Sequence, residues 1–432
     1  MVIEGVANEA IGVDVAIVGG GPAGLSTCIE LARSSRDLKI VLLESEEELG
    51  GLPRSCHLFF GMRDLKRIYT GPAYAKRLGD LARSTRAEIQ TEATVLNIKP
   101  DEERGRHRLS VASPSGLKAY ESRFVVLATG CCEAPLGTRL IPSARPAGIF
   151  TTWQLQQMVH LHHLKPGKRA LVIGSEDAAL STVMTLQKAK VEIAGMVEED
   201  DELQTYPLVA KALSRFYHFP IFAKTGIKCI RGTDRVEGVE LSAGGNDTGF
   251  EIECDTVILT GKFRPISQLI DGTEVIKDPR SGGPLVNMKL ETSVSGIFAA
   301  GNVLRGGDMH DLCALEGRMV ARNIVARLLA SKEEVGNSVF LRVEEPIRYV
   351  VPQRIERPAS GGRRGGAVFA QPSVQLSHTL RDCTIEARSG GEKVWEKGFG
   401  RLIANHRVVI PVDRFDWRRV DFERGVELRV RG

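Results

Sequence analysis

Val13-Asp14-Val15-Ala16-Ile17-Val18-Gly19-Gly20-Gly21-Pro22-Ala23-Gly24 is the stretch on which the reading of this chain turns. An apolar run enters Gly19-x-Gly21-x-x-Gly24, and a helical pattern from Leu25 to Arg33 follows. Strand, glycine turn and helix in that order form the context a dinucleotide fingerprint needs. Gly19 permits the tight turn, Gly21 lets the backbone approach a pyrophosphate, and Gly24 lets helix and strand pack closely. Pro22 and Ala23 belong to the same turn, which aims the helix N-terminus at the phosphates. A second strand, Lys39 to Leu43, ends on Glu44. That acid stands about 20 residues past the last glycine, where a carboxylate hydrogen-bonds a ribose hydroxyl.

The whole chain sets bounds around this turn. Its 432 residues imply two or three domains with ample core. Hydrophobic residues at 42% and charged residues at 26% are an ordinary globular composition, so disordered and fibrous classes are excluded. No apolar run reaches the roughly 18 residues of a membrane span. The N-terminal residues lack a basic region followed by an apolar one, so no signal peptide is expected and the expected location is cytoplasmic. A net charge of +4 argues against nucleic acid as the main partner. From Leu341 onward the balance is mildly basic, which fits a solvated surface or a protein partner. The 8 cysteines form no C-x-x-C, which excludes a zinc ribbon, an iron–sulfur ligand set of the chain's own and a thioredoxin-type pair. They are expected as buried thiols, the vicinal Cys131 and Cys132 included.

Further along, Gly50-Gly51-Leu52-Pro53-Arg54-Ser55-Cys56-His57 offers another close backbone approach. It reads either as a polar loop beside a buried cysteine or as a loop passing the reactive ring of a cofactor. A helix is expected over Tyr74–Leu81 and strands over Glu88–Leu96, Arg108–Ala112 and Tyr120–Ala128, the last closing on Thr129-Gly130. The helical connector from Thr151 to Leu164 carries His160, His162 and His163 without a carboxylate or cysteine at ligand spacing, so no metal site is expected and the histidines read as exposed.

A second nucleotide-like unit begins at Arg169, with Gly174-Ser175-Glu176-Asp177-Ala178-Ala179 at its turn. Only Gly174 remains of the three glycines. Ser175 and Glu176 stand where a pyrophosphate needs bare backbone, and two acids oppose the helix-terminus preference for anions. The next strand, Val191 to Met196, runs into the acidic Glu198-Glu199-Asp200-Asp201-Glu202. This reads as the fold of a nicotinamide domain without a good site. Strands around Phe222–Cys229, Val236–Leu241 and Phe250–Cys254 follow, and then Thr256 to Leu259 repeats the ending as Thr260-Gly261. Two such endings look like return crossings between interleaved domains. A strand from Leu290 ends on Gly301-Asn302 and leads through His310 into a long helix to Leu329. Past Ser331, strands are expected at Val339–Val343, Arg348–Val351, Val374–Leu376, Cys383–Arg388, Arg407–Val412 and Val426–Val430, with a Pro/Gly/Arg linker over 356–366.

Four motifs in this order, Gly19-x-Gly21-x-x-Gly24 with Glu44, Ala128-Thr129-Gly130, Thr260-Gly261 and Ala300-Gly301-Asn302, resemble the flavoproteins with two dinucleotide-binding domains, the pyridine-nucleotide-disulfide-reductase-like group. The resemblance covers roughly Val13 to Ala330. It implies an α/β fold of two interleaved Rossmann-like FAD/NAD(P)-binding domains with a small C-terminal all-β domain. The FAD-binding domain would comprise 12–150 and 256–332, the NAD(P)-type domain 165–255 and the β domain 338–432. By the same resemblance, FAD is held by Gly19, Gly21, Pro22, Ala23, Gly24 and Glu44, by Gly50 and Gly51, by the backbone of Val95 at the adenine, by Thr129 and Gly130, and by Gly301-Asn302 at the flavin end. NAD(P) stands as a doubtful second cofactor.

The departures narrow the reading. Disulfide reductases of this group carry a cysteine pair after the Gly-Gly; here Cys56 stands alone. Asn302 replaces the usual Asp. The segments 50–57, 70–75 and 300–304 resemble the FAD subunits of dye-linked dehydrogenases, among them the hydrogen cyanide synthase B-type subunit and amino-acid dehydrogenases. The segments 309–312 and 348–355 are more similar to a flavoprotein companion of anaerobic glycerol-3-phosphate dehydrogenases. These resemblances imply an FAD-dependent component of a multi-subunit dehydrogenase, with a second flavoprotein subunit and a small iron–sulfur protein as partners. Its substrate would be an amino acid, an amine or glycerol 3-phosphate. Cys56, His57 and His310 are then the candidates beside the flavin ring, a histidine moving protons because its charge changes near neutral pH. The alternatives are a stand-alone NAD(P)H-dependent reductase and a non-catalytic subunit that only holds FAD.

Overall fold

The computed structural model describes residues 9–56, 58–244, 249–329, 337–357 and 368–432. His57 and most of the expected 356–366 linker lie outside the described residues. The first sheet has seven strands in the order 88–90, 40–43, 11–18, 116–127, 107–113 and 94–99, with 297–299 pairing on 116–127. Its centre is parallel: Ile11–Val18 pairs with both Ile40–Leu43 and Gly116–Leu127. The long strand Gly116–Leu127 serves two neighbours on its other side. Its first part takes the antiparallel hairpin partner His107–Ser113, and Val125–Leu127 take the returning strand Ile297–Ala299 in parallel. The return strand thereby sets Gly301-Asn302 beside the first glycine turn.

Five parallel strands form the second sheet, in the order 149–151, 256–259, 169–173, 192–197 and 221–222. Alternation divides its apolar residues between two faces. Ala170, Val172 and Ile258 enter one core, while Leu171, Ile173, Val257 and Leu259 enter the other. The mixed α/β architecture with Rossmann-like parallel sheets agrees with the sequence reading. Both Thr-Gly endings lead into strands that meet: Cys131–Glu133 pairs antiparallel with Phe263–Pro265, so the two crossings run side by side.

Helix Pro22–Ser34 starts with Pro at its first turn and packs on the long helix His310–Leu329. Contact is close because Gly317 lacks a side chain; a Cβ there would stand 2.1 Å from the Ala23 carbonyl oxygen. The helix Thr152–His160 opens with a capping box, in which Thr151 and Gln154 satisfy each other's backbone N–H groups. His160 lies against Thr185 and Lys188 of the neighbouring helix, while His162 and His163 are exposed.

Several boundaries differ from the sequence reading. The strand expected over Glu88–Leu96 is two, Glu88–Gln90 and Thr94–Lys99, because the chain turns at 91–93 to bond Glu44 and Glu46. The strand expected over Phe222–Cys229 splits between two sheets, Ile221–Phe222 and Thr225–Arg231. Of the run from Leu290, only Ile297–Ala299 is strand, since Asn287 and Glu291 turn the preceding residues back on themselves. Beyond 337, the strands form a five-stranded sheet and a three-stranded sheet around one core. Glu392–Leu402, which the sequence reading missed, is a long strand there. It carries charged and glycine residues along an exposed hairpin, so no apolar alternation marks it.

Candidate functional site

The first glycine turn divides its glycines between two tasks. A Cβ on Gly24 would stand 1.9 Å from the Gly19 carbonyl oxygen, and one on Gly19 would stand 2.4 Å from the Ala128 carbonyl oxygen. These two positions are closed by the protein's own backbone. A Cβ on Gly21 would meet nothing within 4 Å. Gly21 also begins the helix Pro22–Ser34 without a side-chain cap, which leaves the first N–H groups for a ligand. Across the gap, Gly51 sits 3.1 Å, measured from its Cβ position, from the Gly21 Cα, and the Gly50 N–H donates to the Gly20 carbonyl at 2.8 Å.

Glu44 is buried beside this turn. Its carboxylate accepts from the Gly20 N–H at 2.5 Å and from the Glu46 N–H at 2.8 Å. The Ala93 N–H donates to the Glu44 carbonyl at 2.8 Å, which brings Val95, two residues on, past the acid. Gly301 touches Ala23, whose Cβ is 2.9 Å from the Cβ position of Gly301. Asn302 is buried, its side-chain oxygen accepting from the Asp308 N–H at 3.0 Å and from the Cys313 thiol at 3.1 Å. Gly130 faces open space, whereas the Thr129 hydroxyl is spent on the Ile266 carbonyl of the returning crossing. Open space at Gly21, an uncapped helix start and a buried carboxylate at the ribose position fit FAD.

A cleft of about 1090 Å³ opens between the two sheets and the C-terminal strands. Cys56, Asn302 and His310 line it; none of the expected residues of the first turn does, nor do Glu44 and Val95. The structure thus separates the expected site into a glycine turn and a cleft joined through Gly301-Asn302. In the cleft, burial pushes the Cys56 thiol up, which keeps it neutral, and its sulfur lies 3.8 Å from the Ser181 hydroxyl.

His310 corrects an expectation. Burial lowers it to about 4, and the adjacent Asp311 offsets this only in part. Its ring meets Phe60 edge-on at 4.7 Å, an environment that disfavours an imidazolium. It is neutral at pH 7, and its charge does not change near neutrality.

The second turn is filled by its own side chain. The Glu176 carboxyl lies 2.8 Å from the Cβ position of Gly174 and 2.9 Å from that of Gly261. Burial raises Glu176 to about 7, outweighing the nearby Thr260 hydroxyl, which favours the charged form. Glu133, also in the cleft, is raised by burial, although Trp153 donates its N–H to it at 2.8 Å. Glu198, another acid of the cleft, is raised by burial as well, but of the three Glu176 is the one brought to about 7, where it holds a proton near neutral pH; its sequence signal was an acid in place of a turn glycine. Ser175, fully buried, donates to Glu198, so neither replacement leaves bare backbone.

The acidic run after the third strand of this sheet is absorbed by partners distant in sequence. Glu202 pairs with Arg381 and with Arg401, the latter at 2.8 Å, and Asp201 pairs with Lys224 at 2.8 Å. A second set of C-terminal contacts reaches the first sheet's long helix. Glu316 accepts from Arg305 and Arg407 at 2.8 Å each and from the Gly301 N–H at 3.0 Å. Burial works against the charged Glu316, and the two guanidiniums nevertheless hold it below the usual carboxylate range. Arg305 and Glu316 escaped the sequence reading because no local pattern marks a pair that only packing makes.

Among the described residues, no helix is long and apolar enough to cross a membrane. All eight cysteines are unpaired, five of them buried. The sequence pattern of the family described as "Pyridine nucleotide-disulphide oxidoreductase" matches residues 13–321. Thioredoxin reductase of Treponema pallidum is 26% identical over 291 residues, covering 67% of this chain and 88% of that relative. The solved thioredoxin reductase of T. acidophilum superposes with a TM-score of 0.63 at 21% identity, covering 74% of this chain and 99% of that one. L-proline dehydrogenase from P. horikoshii superposes with a TM-score of 0.56 at 21% identity, covering 75% of this chain and 57% of that one.

Proposed function

The chain belongs to the pyridine nucleotide-disulphide oxidoreductase family and is an FAD-dependent oxidoreductase; from that premise we propose that it is the FAD-bearing component of a multi-subunit dehydrogenase, receiving electrons from a donor other than a nicotinamide bound at its second turn. The observation that carries this reading is the Glu176 carboxyl, wedged between Gly174 and Gly261 where a second pyrophosphate would lie. FAD, when bound, supplies the redox chemistry, and the protein supplies position and electrostatics. Gly21, the start of helix Pro22–Ser34 and Glu44 would hold its adenosine and pyrophosphate portions. Gly301 and Asn302 would lead it to the cleft. There the neutral Cys56 and His310 shape the wall, and Glu176 holds a proton near neutrality. A second flavoprotein subunit and a small iron–sulfur protein would take part in electron transfer, with an amino acid, an amine or glycerol 3-phosphate as substrate. The structural likeness to an L-proline dehydrogenase supports this direction.

The second reading is a stand-alone NAD(P)H-dependent reductase. The relatives named thioredoxin reductase favour it over the first. The family membership sets aside the reading as a non-catalytic FAD holder. Anaerobic mixing of the purified holoprotein with NADH and NADPH separates the two. The first reading expects no rapid bleaching of the flavin by either, and dye reduction by an amino acid or glycerol 3-phosphate once companion subunits are present. Rapid bleaching at micromolar NAD(P)H establishes the second reading instead.

A further inference from the structure

The hairpin Phe59–Phe60/Tyr69–Thr70 and its loop stand at the rim of the cleft. Its inner side is anchored. Phe60 is buried against Tyr74 and His310, and Arg63 pairs with Asp311 at 3.0 Å. Leu58, Phe60 and Arg63 line the cleft itself. Its outer side has an unusual composition. Phe59, Met62 and Ile68 are 59%, 62% and 65% exposed. The other exposed side chains between them are Arg63, Lys66 and Arg67. The one acid of the loop, Asp64, is withdrawn, held by the Tyr74 hydroxyl at 2.9 Å and paired with Arg318. Every exposed side chain from 59 to 68 is therefore bulky and apolar or cationic.

We propose that this hairpin docks the protein on an anionic membrane surface, with Phe59, Met62 and Ile68 entering the headgroup–acyl boundary and Lys66 and Arg67 meeting lipid phosphates. The charge pattern of the hairpin selects the occupant. Cations flanking exposed apolar tips match a surface that is apolar within and anionic at its face. The inference stands independently of the function proposed above. Because the same hairpin lines the cleft, docking sets the rim of the cleft at the bilayer surface.

The test is co-sedimentation of the FAD-loaded full chain with vesicles of phosphatidylcholine alone or mixed with phosphatidylglycerol. Binding is expected to the anionic vesicles and to weaken with added salt. The variant F59S/M62S/I68S is expected to lose it, and K66Q/R67Q to bind roughly tenfold or more weakly, both keeping the flavin spectrum of the parent. The helix Pro207–Tyr217, which exposes Leu208 at 84% and Phe216 at 72%, supplies the control: L208S/F216S is expected to bind as the parent does. Absence of binding to anionic vesicles overturns the proposal. Binding that survives both hairpin variants, or that only the control variant abolishes, overturns it too. Failure to bind vesicles, joined to faster electron transfer from photoreduced flavin to an acidic ferredoxin than in the hairpin variants, would reassign the patch to an acidic protein.

Discussion

The two glycine turns of this protein are built on the same strand–turn–helix plan and end with opposite properties. At the first, Gly21 faces open space and the nearest carboxylate, Glu44, is drawn aside by the Gly20 and Glu46 N–H groups. At the second, Glu176 turns into the equivalent space and rests against Gly174 and Gly261. Strand and helix packing are kept in both, with Ala179 fully buried at the second turn. The difference teaches that the first and third positions of such a turn are closed by packing, while the middle position, Gly21 or Glu176, decides how much open space is left.

Gly21→Val tests this most severely. Its side chain would enter space that no protein atom occupies, so the variant is expected to fold and to lose FAD altogether, read as a colourless protein with an unchanged circular dichroism spectrum. A yellow, fully loaded variant breaks the comparison.

The titration of the second turn is the next largest effect. Glu176 is raised from 4.5 to about 7, so its contribution to stability is present below pH 4.5 and is lost as pH rises toward 7. Relative to Glu176→Gln, the parent should therefore lose about 3 kcal/mol over that window, measured by denaturant unfolding at each pH. His310 acts with the opposite sign. Lowered from 6.5 to about 4, it contributes stability above pH 6.5 that is lost as pH falls toward 4. The parent alone should accordingly show a flatter profile between pH 4.5 and 6.5 than either Glu176→Gln or His310→Asn.

Glu176→Gly sharpens the comparison from the other side. Removing the carboxyl is expected to tighten NADH binding roughly tenfold or more, followed by titration of flavin absorbance under anaerobic conditions. No gain would place the obstacle at Ser175 or in the cleft.

The smallest effect concerns the paired Thr-Gly endings. Thr129 donates to the Ile266 carbonyl across the crossing, while Thr260 donates to Ile173 within its own sheet at 2.8 Å. Replacing either with Val should cost about 1 kcal/mol in unfolding free energy. Only Thr129→Val is expected to loosen the link between the two crossings, seen as faster amide exchange at Ile266.

Particular residues show how far the sequence could be read. The first turn with Glu44, the acid at the second turn and the two returning Thr-Gly crossings were legible, because each is marked by spacing along its own short stretch. Glu392–Leu402 was not, since its exposed hairpin has no apolar period to betray it. The charge state of His310 was not legible for a different reason: a pKa depends on the water removed by Phe60 and the cleft wall, and no motif encodes that.

By itself, then, the sequence determined which turn keeps bare glycine and which carries an acid, since backbone approach is a property of residue type at fixed spacing. Only the tertiary structure decided that Glu176 folds into the vacated space, and that Glu202 is claimed by Arg381 and Arg401. It alone set Arg305 and Arg407 on Glu316 beneath Gly301. Those partners are separated by up to 199 positions in the chain. Glu316 and its two guanidiniums pair in a buried space and Glu202 pairs at the surface, and both sets meet only once the C-terminal strands have packed against the rest of the chain.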